Sequence, residues 1–180
     1  GTEVTMSVSQ PTLTSHVEAF DAGSHVTAAE WLGTVPVLAL GDGTLMLPAE
    51  GGPTRLTAHP DAAILVAAGD GTRLLTGGDD GRVVEARADG SLTEIATAKN
   101  GAWIDALTLH GDGGFAFSHG RNVVTRDAKG RERTLTVPSS ARGLAFAPKG
   151  YRLACSHYNG VSLWYPNHET PPELAEWKGS

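Results

Sequence analysis

The chain has 180 residues, 40% of them hydrophobic and 19% charged, an ordinary globular composition that supplies enough apolar side chain for a sizeable core. Its formal net charge of −6 excludes the basic surface that nucleic acid requires. No apolar run approaches the ~18 residues of a membrane-spanning helix, and the single cysteine, Cys155, excludes an intrachain disulfide framework.

Residues 1–12 read as a leader remnant, because Met6 stands inside them as a possible start. Leu13 to Phe20 reads as a strand of outer type with no strands before it to join. From there on, one order of signals repeats. A first apolar run (Val26 to Leu32, Ala62 to Ala68, Ala141 to Ala147) ends in a tight turn such as Gly69-Asp70-Gly71 or Pro148-Lys149-Gly150. A second run follows: Val35 to Leu40, Arg73 to Thr76, Phe115 to Ser118, Tyr151 to Ser156. Then comes a turn built on Gly43, Gly81, Gly120 or Gly160, at intervals of about 38, 39 and 40 residues. A third run (Thr44 to Leu47, Arg82 to Ala86, Asn122 to Arg126, Val161 to Trp164) leads to a more polar fourth: Thr54 to Thr57, Leu92 to Thr97, Arg133 to Val137, Pro172 to Trp177.

Short alternating runs joined by hairpin-length loops predict antiparallel strands, and no segment keeps a helical period. A period near forty residues predicts stacked propeller blades. The expected units are 21–59, 60–99, 100–138 and 139–180. The fold class is therefore all-β: an arc of four four-stranded blades plus the outer strand, expected to form part of a seven-bladed ring. Trp177-Lys178-Gly179-Ser180 is similar to Asp21-Ala22-Gly23-Ser24, which places the start of a fifth unit at the last residues. Four blades leave two apolar sheet faces without a neighbour. The expected partner is a second chain carrying the remaining blades. The alternative is a homodimer of half-propellers forming an eight-bladed ring, in which the outer strand has no place.

Ala145-Phe146-Ala147-Pro148-Lys149-Gly150, then Arg152 to Ser156, then Val161-Ser162-Leu163-Trp164-Tyr165, resembles the WD40 repeat family, as does Leu74-Leu75-Thr76-Gly77-Gly78-Asp79-Asp80-Gly81. The Trp-Asp pair that names the family is intact nowhere, reading Pro48-Ala49, Ala86-Arg87, Arg126-Asp127 and Trp164-Tyr165. The resemblance implies a tetrad of His, Ser or Thr, Asp and Trp tying each blade. His59, Thr76 and Asp80 match three of its positions in the second unit, and His25 and Asp42 match two in the first. Asn100 and Ser140 stand near the histidine position in the last two. Without a full tetrad, packing of small strands and of Trp31, Phe146 and Trp164 is expected to carry the stability.

The resemblance also implies a non-catalytic scaffold that binds protein or peptide on one propeller face, with no cofactor and no metal. Carried over by position, that face holds Trp103, Asp105, Arg142, His157 and Tyr158, with Asp61, Ser140 and His119 beside them. Trp103 fits either a partner contact or burial between blades. Turn aspartates (Asp42, Asp70, Asp79, Asp80, Asp112) read as backbone caps rather than ligands. Arg121, Arg126, Lys129, Arg131 and Arg133 gather in the third unit, but Asp127 and Glu132 interrupt them, so they read as a solvated face. Cys155 lies in an apolar strand and reads as an inert buried thiol. The expected compartment is the cytoplasm, with no membrane association. The alternative function is a lactonase-like hydrolase with a metal in the central channel, for which Asp105 is the one inward carboxylate.

Overall fold

The computed structural model describes Val17 and residues 19–178. Among the described residues sixteen strands form four sheets in chain order. The first blade holds β1 (Val26–Leu32), β2 (Val35–Leu40), β3 (Thr44–Leu47) and β4 (Thr54–Thr57). The second holds β5 (Ile64–Gly69), β6 (Arg73–Gly78), β7 (Arg82–Arg87) and β8 (Leu92–Thr97). A 3-10 turn, Lys99–Gly101, precedes the third: β9 (Ala106–Leu109), β10 (Phe115–His119), β11 (Asn122–Arg126) and β12 (Glu132–Thr136). The fourth holds β13 (Gly143–Phe146), β14 (Leu153–His157), β15 (Gly160–Trp164) and β16 (Glu173–Glu176). Each sheet is an antiparallel meander in sequence order.

The first strands β1, β5, β9 and β13 pack against one another in succession, so the sheets stack as blades of a β-propeller arc around their inner edges. Along each strand, alternate residues face the preceding or the following blade. The core is three separate layers between blades. Val37, Ala39 and Leu45 meet Ile64, Leu74 and Val84 in the first. Leu75 and Val83 meet Phe115, Phe117 and Val124 in the second. Ala116 and Val123 meet Leu153, Cys155 and Trp164 in the third. In the third layer, small residues on one blade receive bulkier ones from the next. Each fully buried Leu or Phe contributes about 1.5–3 kcal/mol of transfer free energy.

Several sequence expectations change. The outer strand at Leu13 to Phe20 lies mostly outside the described residues, and Val17, Ala19 and Phe20 form no strand. Trp31 is 58% exposed and belongs to no core layer, unlike Trp164 at 6%. Its neighbours on β1 alternate, and Trp31 falls on the face turned away from the second blade, opposite Pro36. The run Ala62 to Ala68 forms a strand only from Ile64, and most of that strand is half-buried because it borders the axial cavity. Val137 is buried, but it lies past the end of β12 and packs into the third layer. Among the described residues no helix is long and apolar enough to cross a membrane.

Candidate partner-binding face

The second blade carries a buried polar chain. Asp80 Oδ2 lies 3.0 Å from His59 Nδ1, and His59 Nε2 lies 2.8 Å from Thr76 Oγ1. A carboxylate only accepts, so His59 Nδ1 carries the proton that faces Asp80. Burial pushes the Asp80 carboxyl up, but the Arg82 backbone N–H, His59 and the Arg82 side chain outweigh it and hold Asp80 below the usual carboxylate range. In the first blade no hydrogen bond joins His25 to Asp42. His25 is exposed, and Asp42 Oδ1 instead accepts from the Thr44 amide at 3.0 Å. Asp70, Asp79 and Asp112 likewise accept from backbone amides, of Thr72, Ala63 and Gly114. Asn100 sits in the 3-10 turn with φ +59°, and Ser140 is exposed, so neither builds a tetrad. The fourth blade has a pair the sequence did not disclose: His157 Nε2 meets Ser162 Oγ at 3.0 Å, both side chains buried.

The residues assigned to the binding face divide between two cavities. Asp105 and Arg142 stand with Thr27, Val66 and Leu144 around the axial cavity of about 380 Å³, where all four inner strands converge. Arg142 also borders a second cavity of about 450 Å³, lined by Ser139, Ser140, Ser156, His157 and Tyr158. Arg142 is exposed, and among the described residues its guanidinium has no hydrogen bond or ion pair. Tyr158 is 82% exposed, while its backbone amide donates to Ser139 Oγ at 2.8 Å. Trp103 is 64% exposed, so it is not buried between blades, and it lines neither cavity.

Two residues sit differently from expectation. His157 is buried rather than open to a partner, because β14 turns its ring into the third layer; its Nδ1 has no hydrogen-bond partner among the described residues. His119 does not share a cavity with it, lining instead a space with Thr97, Lys99 and Asn122. Burial pushes the His119 imidazole below its ordinary range, with Asp105 pulling the other way. Asp105 itself is engaged: its Oδ2 accepts from the Gly120 amide at 2.7 Å. Among the described residues no three His, Cys, Asp or Glu side chains gather as a metal site. Cys155 is buried in the third layer, and burial pushes its thiol up to about 12.

Sequence reasoning missed the side chains that cross between blades. Arg73 is buried and its Nη2 donates to the carbonyls of Gly113 and Gly114, at 2.8 and 3.0 Å, in the first turn of the third blade. His110 Nε2 donates to the Gly150 carbonyl at 2.9 Å in the equivalent turn of the fourth. Ser118 Oγ donates to the Ala141 carbonyl at 2.8 Å, again one blade on. The signal available beforehand was a polar residue recurring on an otherwise apolar face.

No protein-family model and no curated protein matches the chain. Among solved structures, a chain of the crystal structure of the mitotic checkpoint complex superposes with a TM-score of 0.71 at 17% identity, covering 87% of this chain and 52% of that one. Selenomethionine-substituted virginiamycin B lyase from Staphylococcus aureus superposes with a TM-score of 0.69 at 12% identity, covering 89% of this chain and 58% of the lyase. The chain thus spans a little over half the length of the solved chains it resembles, and the likeness establishes the β-propeller fold.

Proposed function

We propose that this chain is a non-catalytic WD40-type scaffold that binds a protein or peptide at the mouth of the arc, with further blades completing the ring. The observation that carries the reading is Arg142. Its guanidinium, unpaired among the described residues, stands where the two cavities meet, beside the open ring of Tyr158. An arginine and a tyrosine next to concave space form the kind of anchor that dominates protein recognition. Trp103 adds a large exposed aromatic on the same run of loops. Asp105, which a metal hydrolase would need as an open ligand, instead caps the Gly120 amide, which supports a binding role over a catalytic one. One member of the solved pair belongs to a multi-protein complex, which agrees with a scaffold.

The test is affinity capture from the native cell extract by the wild type, Trp103→Ala and Arg142→Ala, with bound proteins quantified by mass spectrometry. Truncating a central anchor is expected to lower capture of the specific partners at least about tenfold. Unchanged capture by both variants would overturn the assignment of this face, and a stoichiometric divalent ion in the purified protein would overturn the non-catalytic reading.

A further inference from the structure

The cavity of about 450 Å³ between the loop that enters the fourth blade and the turn after β14 holds a positive charge that the described residues leave unanswered. Every other arginine among them donates to a carbonyl or a carboxylate. Arg142 is held only by its backbone amide, which donates to the Ser156 carbonyl at 3.2 Å. No carboxylate lines this cavity. Asp105 borders the axial cavity with Arg142, but its Oδ2 is turned to the Gly120 amide. In a chain of net charge −6, an arginine without an acid beside it is the exception.

Hydroxyls with donor capacity to spare share the cavity. Ser139 Oγ accepts from the Tyr158 amide at 2.8 Å, which leaves its own hydrogen to donate. Ser140 is exposed. Ser156 Oγ reaches only the Gly143 carbonyl, at 3.5 Å, beyond the usual range of an O–H donor. His157 forms part of the wall, and its buried Nδ1 has no partner among the described residues. With Nε2 engaged by Ser162, a negative charge in the cavity favours an N–H at Nδ1. A guanidinium is always charged and only donates. A wall with one fixed cation, several free donors and no acid selects a group that is negative and only accepts.

We infer that this cavity seats an oxyanion side chain of the bound peptide, a carboxylate or a phosphoryl group, with Arg142 as its charged anchor and Ser139, Ser140 and Ser156 as surrounding donors. The inference rests on the reading of this face as a peptide-binding face, and it names the chemistry that one pocket of that face takes. The planar fork of Arg142 matches two oxygens of either group, and the hydroxyls meet the remaining lone pairs. Tyr158, 82% exposed beside them, offers its ring to the flanking peptide. The overall negative charge repels acidic segments at long range. Only a segment whose acidic group reaches Arg142 is retained, so the pocket selects by position as well as by charge.

The test sets the full chain against short immobilised peptide libraries, degenerate and free of acids except at one central residue fixed as Glu, phosphoserine, Gln or Ser. At low salt, retention on the Glu or the phosphoserine library is expected to exceed that on its uncharged counterpart, Gln or Ser, at least about tenfold. The library that leads tells carboxylate from phosphoryl. Arg142→Gln should bring charged and uncharged libraries to parity, and Ser140→Ala, at an exposed position, should lower the preference about threefold. Both variants should keep the wild-type urea midpoint, since neither side chain bonds within the described chain. Inorganic phosphate should shift the amide NMR signals of Ser140, Arg142 and Tyr158 in the wild type and leave them in place in Arg142→Gln. Equal retention on all four libraries would overturn the inference, as would a preference that survives Arg142→Gln. Capture from the extract that depends on Trp103 and Arg142, without any acid preference, would sink the oxyanion pocket and leave the binding face standing. An acid preference with no partner captured would support the pocket and count against the scaffold reading alone.

Discussion

Gly43 and Gly120 occupy the same recurring turn for different reasons. Gly43 has φ +88°, and a Cβ there would lie 2.1 Å from the His59 carbonyl oxygen and 2.4 Å from that of Ala62. Both atoms are backbone and cannot move aside. Gly120 has φ +58° with open space around it. Gly43→Ala should therefore combine backbone strain with overpacking and destabilise by about 2–5 kcal/mol. Gly120→Ala should cost only the left-handed strain, about 1–2 kcal/mol. Urea denaturation of the two variants side by side measures the difference, and equal losses would mean that the crowding at Gly43 relaxes.

At the scale of elements, the blades are held by donors as well as by apolar layers. Arg73 spans its own blade and the next, pairing with Glu85 at 3.3 Å while donating to two carbonyls. His110 performs the same clasp for the fourth blade, set edge-on between Phe146 and Tyr151 at 5.0 and 5.1 Å. Arg126 reaches the other way, to the Ile95 carbonyl of the preceding blade. Arg73→Met keeps much of the apolar stem but leaves the Gly113 and Gly114 carbonyls without their donor and Glu85 with Arg87 alone. The expected loss is about 2–4 kcal/mol in the urea midpoint analysis, with the m-value unchanged. A loss below about 0.5 kcal/mol would mean that solvent replaces the clasp at no cost.

The whole molecule is a stack in which each blade depends on its neighbours. The second blade is covered on both faces, with Leu74 and Leu75 wholly buried on its central strand. Among the described residues the fourth is covered on one, and its β16 is exposed at every residue. Native-state hydrogen exchange should therefore show β14 and β15 opening at least about tenfold more readily than β6 and β7. Equal protection would show that the arc unfolds as one unit despite its uncovered face.

The number of units, their four strands and their antiparallel order were legible in the chain because each rests on short-range signals: a glycine turn, an alternation of period two, a polar last run. Strand ends moved by a residue or two, as at Glu132–Thr136, where Val137 is apolar for the sake of the next blade and not of its own. The His59, Thr76 and Asp80 chain was visible in outline through the resemblance, whereas His25 and Asp42 match two of its positions without meeting. The tertiary structure alone decided which polar side chains cross from blade to blade. Arg73 and Gly113, or His110 and Gly150, lie 40 residues apart, and their contact depends on how one sheet is stacked on the next. Local sequence carries the geometry of a strand and a turn; the angle between two blades is set by the side chains of both at once.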